Sequence, residues 1–508
     1  MPVPIPPREV APPSAAARKE FAEGDDGSAR HAGKRAVRGR LADVIWTLAA
    51  VALVGAAAAL APVVRRAGRK LFLNAPPLLG DWKPHVGIGS PFAVAAAVVA
   101  VVLFPRLIRR LRWRPLLFTG WMASVTWTVS LALVDGWQRG WVSRLTDRNE
   151  YLHDLPRITG VGSFLTDFTS HIRDFRPGSW TTHVSSHPPA ATLAFYVLDR
   201  IGLRGGAWAG LLVVLVGTTA AVAVPVTLRA LGAPQAARKV LPFTVFFPGS
   251  VWVGVSADGM FAGVAATGVA VAVLGVLGRR RLSGWLAAAG GMMLGLMVYL
   301  SYGLALVWLV VAATAWCSAR VLARRGPWLR RWLLRWLLVF GGALTVVVAF
   351  SAGGFWWFDG LSELHVRYYQ GIAAQRPYSY FVWANLAAFA LSAGPVAAAG
   401  AARAVTVLRL HAARTRRFGR WISRFLPQGG PPGAETLAPA TIAAAAVLAV
   451  LIADISALSK GETERIWLSF GFFLMCGLAL LPRRAERWAL AAQVGCALVV
   501  NHLVLTQW

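Results

Sequence analysis

Acidic side chains are concentrated in one connection between apolar segments, where they could act as a base. The sequence Asp147-Arg-Asn-Glu150-Tyr-Leu-His-Asp154 follows the apolar run that ends at Asp135. A group transfer onto a hydroxyl requires a base, such as a carboxylate, that accepts the hydroxyl proton as the new bond forms. Asp147 and Glu150 are both candidates for this base, and Asp154 is a candidate for substrate binding. The alternative is that these acids form ion pairs with neighbouring arginines on a solvated surface.

Two further motifs precede apolar helices. In His187-Pro188-Pro189 the prolines leave the first backbone N–H groups of a helix free, and His187 could contact an anion there. Asp258 follows Ser256 and Ala257 in a turn between two apolar segments, and an ionisable residue near membrane depth indicates function. The alternatives are a simple helix start at His187 and a helix cap in the turn that holds Asp258.

A fourth motif, Lys460-Gly-Glu462-Thr-Glu464-Arg465-Ile-Trp, lies in a turn, predicted to face outward, that leads into a helix. Lys460 or Arg465 could neutralise a phosphate group, and Glu462 is a further candidate for substrate binding. The alternative is an anchor at the membrane interface with acidic residues at a helix start.

Two connections, 136–188 and 351–379, combine acidic, basic and aromatic residues. Carbohydrate recognition uses this mixture, because aromatic faces stack on sugars while carboxylates and guanidinium groups bind hydroxyls. Tyr369 in the second connection is therefore a candidate for substrate binding. The alternative is that the aromatic residues only mark a membrane interface.

The rest of the chain must position these motifs in a membrane. The 508 residues are 56% hydrophobic and only 15% charged, with a net charge of +30, whereas soluble chains are about 25% charged. These values exclude a soluble globular protein. The basic residues form short clusters between apolar runs, so we interpret them as topology signals rather than as a nucleic-acid surface.

Only helices satisfy their own backbone hydrogen bonds in hydrocarbon, so the apolar runs predict an all-α polytopic membrane protein of about 13 transmembrane helices. A further run, 189–203, is predicted to be a re-entrant or half-depth helix; if it crosses the membrane, the number is 14. The predicted crossings are 43–62, 91–105, 116–135, 207–229, 240–256, 259–278, 283–301, 303–319, 333–351, 380–400, 438–456, 466–482 and 487–505.

Arginine clusters predict which connections face the cytoplasm. They occur at 106–114, 279–281, 320–335, 403–424 and 483–487, whereas 136–188 and 351–379 are predicted to face outward. One basic cluster, residues 65–70, does not fit, because it is predicted to lie outside. Residues 1–40 are predicted to be a disordered cytoplasmic tail, and residues 41–508 a single transmembrane domain. The three cysteines form no metal-binding or disulfide pattern.

The order of these motifs resembles the GT-C superfamily of polytopic glycosyltransferases that use polyprenyl-phosphate sugars. Protein O-mannosyltransferases and lipid A aminoarabinose transferases carry a D-E motif and then an HPPLGK or KPPL motif. Glu150-Tyr151 and His187-Pro188-Pro189 stand at the corresponding places, and the resemblance leaves open whether Asp147 or Glu150 inherits the base. The chain also resembles integral membrane proteins that act on envelope polysaccharides, including arabinofuranosyl-, mannosyl- and methylthioxylosyltransferases.

The resemblance implies a GT-C-like fold with a large catalytic first outer loop. It also implies a hexosyl- or pentosyltransferase that moves a sugar from a polyprenyl-phosphate donor to an envelope glycan or lipoglycan. The implied location is the outer face of a bacterial plasma membrane. No cofactor is required, and a divalent metal ion beside the carboxylates is compatible with this chemistry. The alternatives are a polytopic transporter or a flippase of lipid-linked sugars, and a scaffold subunit without catalytic activity.

Overall fold

The computed structural model describes residues 15–323, 328–415 and 433–507, and most of these residues are helical. The α-helices in chain order are α1 Ala15–Arg66, α2 Ser90–Val102, α3 Phe104–Arg110, α4 Trp113–Ala132, α5 Tyr151–Asp154, α6 Val161–Asp167, α7 Thr182–Ser186, α8 Pro189–Arg200, α9 Gly206–Gly217, α10 Ala220–Ala230, α11 Pro234–Val245, α12 Ser250–Val253, α13 Ala257–Leu277, α14 Ser283–Leu300, α15 Trp308–Ala323, α16 Leu329–Ala352, α17 Trp357–Gln370, α18 Tyr378–Ala393, α19 Ala397–Thr415, α20 Ala434–Ile455, α21 Thr463–Ile466, α22 Leu468–Leu474 and α23 Glu486–Leu503.

Short helical turns of other types connect these helices. The 3₁₀ turns are Leu133–Asp135, Leu155–Arg157, Thr169–His171, Tyr302–Val307, Ile372–Ala374, Met475–Leu480 and Arg483–Ala485, and a π-helical turn covers Gln138–Val142. Two short strands, β1 (Gly80–Trp82) and β2 (Val504–Thr506), pair antiparallel with Gly80 opposite Thr506. This pairing attaches the C-terminal segment to the connection that follows α1.

Within the described residues, eight helical segments are long and apolar enough to cross a membrane, or up to ten if each of two bent helix pairs is one span. This confirms the prediction of an all-helical polytopic membrane protein, whereas the predicted number of 13 crossings is not confirmed. The eight segments are Gly39–Arg66, Trp113–Asp135, Gly206–Ala230, Ala257–Leu277, Ser283–Leu300, Tyr302–Ala323, Leu329–Ala352 and Ala434–Ile455.

Several predicted crossings form shorter or broken helices. The run 240–256 contains the end of α11 and the one-turn α12, because Pro248 and Gly249 interrupt the helical pattern between them. The run 380–400 bends by 102° between α18 and α19, where Gly394 has a φ of 79° and Pro395 follows. Apolar composition therefore predicts helix here but not where each helix ends.

The ambiguous run 189–203 forms α8, which has 12 residues. At 1.5 Å per residue this helix is about 18 Å long, whereas the hydrocarbon core is about 30 Å thick. Its length supports the prediction of a half-depth helix.

The N-terminal region is helical from Ala15, so residues 15–40 of the predicted tail are part of α1. This segment contains seven alanine and five arginine residues, which have high helix propensity. Residues 1–14 of the predicted tail lie outside the described residues.

The basic connections gather at one end of the helix bundle, which we call the arginine end. Arg403 in α19 forms an ion pair of 2.6 Å with Asp43, near the start of the first span. Lys239 donates to the carbonyl of Leu481 at 2.7 Å and interacts electrostatically with both Arg403 and Arg483. Of the predicted basic clusters, residues 324–325 and 416–424 lie outside the described residues.

The connections that carry the candidate chemistry lie at the other end, which we call the site end. Helix α4 leads from the arginine end to Asp135, and the connection 136–188 follows it. This connection contacts the connection 351–379, because Arg173 binds Glu363 and Arg367 forms an ion pair with Asp174. The two connections predicted to face outward are therefore packed against each other at one end of the molecule.

Candidate active site

The acidic motif of the first long connection presents Glu150 to the interior of the protein. Asp147 closes a turn, since its carbonyl accepts the Glu150 N–H at 2.9 Å and its side chain accepts the Asn149 N–H at 3.0 Å. The Asn149 carbonyl accepts the N–H of His183 at 2.9 Å. Glu150 Oε1 then lies 3.1 Å from His183 Nδ1. Both side chains are buried, with Glu150 3% and His183 5% exposed.

Asp258 enters the same region from a transmembrane helix. Ser256 caps α13, and its hydroxyl accepts the Gly259 N–H at 3.4 Å. This cap orients the first turn of the helix, where Asp258 is 4% exposed. Arg465 Nη1 donates to Asp258 Oδ2 at 2.6 Å. A charge at this depth is stable only when it is paired, and Arg465 provides the pair.

Arg465 joins the three segments of the site. Its Nη2 donates to Glu462 Oε2 at 2.8 Å and to His183 Nε2 at 3.5 Å. A guanidinium group only donates, so the imidazole Nε2 must accept and the ring proton is on Nδ1, facing Glu150. Burial opposes the charge on Arg465, but Asp258, Glu462 and Glu150 outweigh burial and raise its pKa. Arg465 is therefore a permanent cation among three carboxylates.

Glu462 has a left-handed backbone conformation, with a φ of 62°, directly after Gly461. The loop is held by Asn385, whose Oδ1 accepts the Gly461 N–H at 2.9 Å and whose Nδ2 donates to the Ser459 carbonyl at 2.6 Å. Burial disfavours ionisation of Glu462, but the guanidinium groups of Arg465 and Arg376 outweigh burial and lower its pKa. Glu462 is therefore ionised and fixed beside Arg465.

His187 lies beside this network in contact with aromatic rings. Its Nδ1 and the Tyr151 hydroxyl are hydrogen-bonded at 2.9 Å, and its ring lies 5.4 Å from the ring of Phe261 in α13. Burial lowers the pKa of His187 to about 4, although Asp258 opposes this shift. At neutral pH the ring is therefore uncharged, and it would meet an anion as a neutral N–H group rather than as a cation.

Two predicted acids have other surroundings. Asp147 is exposed and caps its own turn. Asp154 is 1% exposed, and both of its oxygens are occupied, one by Arg157 at 2.6 Å and the other by the Thr181 N–H at 2.7 Å. The structure thus brings Glu150, but not Asp147 or Asp154, into contact with the Arg465 network.

Lys460 and Tyr369 lie next to the network and contact each other. The Lys460 ammonium group is 4.9 Å from the centre of the Tyr369 ring and donates to the Ala373 carbonyl at 3.0 Å. The Tyr369 hydroxyl donates to the Ala457 carbonyl at 3.3 Å. These contacts attach the connection 351–379 to the loop that carries Glu462.

Two members of the network were not singled out by the sequence motifs. His183 precedes His187 by four residues, which is one helical turn, and this spacing could have indicated it. Arg376 donates to the Lys460 carbonyl at 2.5 Å and lies 3.9 Å from Glu462. Its position in the mixed connection 351–379 carries no signal that distinguishes it from the other arginines there.

Glu464 belongs to the fourth sequence motif, which assigns it no role of its own, and it is fully buried. Its Oε1 accepts the Leu79 N–H at 3.5 Å, and its Oε2 has no hydrogen-bond partner in the part of the chain that the structure describes. Burial raises the pKa of Glu464 to about 7. Among the described residues, no group of three or more His, Cys, Asp or Glu side chains is arranged to hold a metal ion.

No family model matches the chain, and no curated protein matches it. Solved structures do. The oligosaccharyltransferase of Archaeoglobus fulgidus in its apo form has a TM-score of 0.42 and 16% identity over 77% of this chain and 56% of that chain. The complex of that enzyme with zinc and sulfate has a TM-score of 0.42 and 15% identity, over 75% of this chain and 52% of that chain.

Apo ArnT from Cupriavidus metallidurans has a TM-score of 0.29 and 15% identity, over 74% of this chain and 78% of that chain. The chain spans just over half the length of the oligosaccharyltransferase that it matches.

Proposed function

We propose that this protein is a membrane glycosyltransferase that moves a sugar from a polyprenyl-phosphate donor to a hydroxyl of an envelope glycan or lipoglycan. The observation that carries the proposal is the contact between a buried carboxylate, Glu150, and the network of His183, Arg465 and Asp258. A transferase of this kind needs a base for the acceptor and a fixed cation for the leaving phosphate. Both lie at the site end, in connections that follow the spans Trp113–Asp135 and Ala434–Ile455.

Glu150 is the proposed base. In the transfer, the acceptor oxygen bonds to C1 of the sugar and the bond from C1 to the phosphate oxygen breaks. The hydroxyl proton moves to Glu150, and the electron pair of the broken bond leaves with the polyprenyl phosphate. A single in-line displacement of this kind inverts the configuration at C1. His183 holds the carboxylate in place, because its Nδ1–H faces Oε1.

Arg465 is the proposed electrostatic partner of the leaving phosphate. It is a fixed cation, and groups that are held in place before the reaction stabilise developing charge most effectively. Lys460 is a second cation near the same loop. The polyprenyl tail would lie between transmembrane helices, and the reaction is proposed to occur on the outer face of a bacterial plasma membrane.

The test is sugar transfer by the purified full-length protein in lipid nanodiscs. The substrates are synthetic polyprenyl-phosphate sugars, hexosyl and pentosyl, together with extracted envelope glycan, and both transferred sugar and released polyprenyl phosphate are measured. Glu150→Gln keeps the shape of the side chain and removes the base, so turnover should fall by roughly 10²-fold or more. Asp147→Asn is the matched control three residues away and should retain turnover.

Loss of turnover in Asp147→Asn alone would move the base to that residue. Full turnover in both single variants and in the double variant would contradict a base in this connection. Movement of the intact donor across the membrane, without release of polyprenyl phosphate, would instead indicate a flippase. Thermal unfolding of each variant must match the parent protein, because a misfolded connection would also abolish turnover.

A further inference from the structure

The basic cluster at the end of α1 is at the opposite end of the bundle from the arginine end. Arg403 contacts Asp43 near the start of the first span, and Gly39–Arg66 then leads to the site end. Four cations lie there within six residues: Arg65, Arg66, Arg69 and Lys70. Basic residues that set the topology are expected at the same end of the bundle as the other arginine clusters. Topology therefore does not account for these four, which we call the α1 basic patch.

The fold at the helix end brings the four cations together. The Gly68 N–H donates to the Arg65 carbonyl at 3.0 Å, the Arg69 N–H donates to the Val64 carbonyl at 3.2 Å, and Gly68 has a φ of 75°. This is a Schellman C-cap, which reverses the chain directly after the helix. Arg69 and Lys70 therefore follow Arg65 and Arg66 around a single helix end.

The α1 basic patch is exposed and has no acidic partner. All four side chains are exposed, and none forms an ion pair with any residue that the structure describes. Asp81, an acid in the same connection, accepts instead from Asn74 at 2.7 Å. The patch therefore presents an unneutralised positive surface.

The patch is fixed in position relative to the candidate active site. Leu71 and Leu73, which follow it, are each only 1% exposed. The Leu71 carbonyl accepts from Arg376 Nε at 3.1 Å, and the same guanidinium lies 3.9 Å from Glu462. A ligand of the patch would thus be held at the border of the site.

Its surroundings place the patch at the level of lipid headgroups. In the most apolar stretch of the first span, only 17% is buried inside the protein. Leu60 and Val63 are exposed just before the basic residues. At the same end, Trp82, Trp137 and Trp356 are 66%, 54% and 47% exposed. Exposed tryptophans are typical of the membrane interface.

We propose that the α1 basic patch binds the phosphate groups of anionic phospholipids in the membrane leaflet at the site end. Lysine and arginine residues next to a membrane helix attract anionic headgroups, and each cation adds to the affinity. The bound lipid would anchor the segment 71–73, which packs on Arg376. This proposal does not depend on the proposed transferase activity.

The experiment compares the full-length protein with the variant Arg66→Gln/Arg69→Gln/Lys70→Gln, which keeps Arg65 because Arg65 also donates to the Leu73 carbonyl. Both are purified in detergent and titrated with phosphatidylglycerol or with phosphatidylcholine, and bound lipid is counted by native mass spectrometry. We expect affinity for phosphatidylglycerol to fall by about tenfold or more in the variant, with a weaker salt dependence.

The matched control, Arg66→Lys/Arg69→Lys, keeps the charge and should keep the affinity. Equal phosphatidylglycerol binding by the Gln variant and the parent protein would overturn the proposal. Loss of binding in the Lys control as well would also overturn it, because it would indicate a change in local structure rather than in charge.

A third titration uses polyprenyl monophosphate. If the Gln variant loses affinity for polyprenyl monophosphate but retains phosphatidylglycerol, the patch would be a dock for the sugar carrier and the proposed phospholipid partner would be wrong. Sugar transfer by the parent protein is also measured in nanodiscs of neutral phosphatidylcholine, which contain no anionic phospholipid. Turnover in that assay tests the proposed function independently of lipid binding by the patch.

Discussion

Two buried ionic networks lie at the site end, and they differ in the segments that their charged groups join. In the first, both oxygens of Asp135 are occupied, Oδ1 by His85 Nε2 at 2.7 Å and Oδ2 by Arg144 Nη2 at 2.6 Å. Arg144 also donates to the carbonyl of Thr506 in β2 at 3.1 Å. Burial lowers the pKa of Arg144 to about 10, although Asp135 opposes this shift.

In the second network, two acids from different segments lie around His183 and Arg465. Glu150 contacts His183 through Oε1, and Asp258 accepts from Arg465 through Oδ2. The first network holds the C-terminal strand in place, whereas the second joins the connection 136–188, the start of α13 and the loop that carries Glu462. The comparison separates structural acids from candidate catalytic acids of similar burial.

The largest effect is expected for Asp135→Asn. The variant leaves Arg144 buried without its charged partner, and loss of one member of a buried pair costs about 3–5 kcal/mol of unfolding free energy. Thermal unfolding in detergent should show this loss, while turnover per folded molecule stays near that of the parent protein. Asp167→Asn, at an exposed position, is the control and should unfold like the parent. Normal stability with lost turnover would place Asp135 in the active site instead.

The next effect concerns Glu464, whose pKa burial raises from 4.5 to about 7. Below pH 4.5 the carboxyl is protonated in both the folded and the unfolded chain. Between pH 4.5 and 7 only the unfolded chain ionises, so stability falls as pH rises, by roughly 3 kcal/mol in total. Glu464→Gln removes this titration.

The measurement for Glu464 is unfolding at pH 5 and at pH 8. The unfolding free energy of Glu464→Gln minus that of the parent protein should be larger at pH 8 than at pH 5. The increase should be most of the roughly 3 kcal/mol. An identical pH dependence in the variant and the parent would contradict the assignment of a protonated, buried acid. The control is Asp81→Asn, at an exposed position at the site end. This variant should show the same pH dependence of unfolding as the parent protein.

The smallest expected effect tests the network of Glu150, His183, Asp258 and Arg465 through Asp258→Asn. Arg465 keeps its contact with Glu462 in this variant, so unfolding should change little. Turnover should fall by about tenfold or more, because the guanidinium loses one of the three side chains to which it donates. The matched control is Asp154→Asn, a buried acid with both oxygens occupied, which should lower stability and not turnover. Lost turnover in Asp154→Asn, together with lost stability but normal turnover in Asp258→Asn, would contradict the distinction between structural and candidate catalytic acids.

Hydropathy along the chain was sufficient to predict the helical membrane architecture. Transfer of a residue into hydrocarbon is mainly a property of that residue and its near neighbours, so long apolar runs indicate helices without any knowledge of the partners. The number of crossings was not predictable in the same way. Breaks such as the 102° bend after α18 depend on single Gly and Pro residues and on the helices packed around them.

The candidate site shows the same division between local and long-range information. The sequence indicated Glu150, Asp258, Glu462 and Arg465 as separate motifs, since an acid or a base next to an apolar run is unusual in itself. It could not choose between Asp147 and Glu150, and it gave Arg376 no distinction. Only the folded structure decided that Glu150 is buried beside His183 whereas Asp147 faces solvent. The reason is that an ion pair depends on the distance between two atoms, and here the paired atoms lie up to 207 residues apart in the chain, from Asp258 to Arg465.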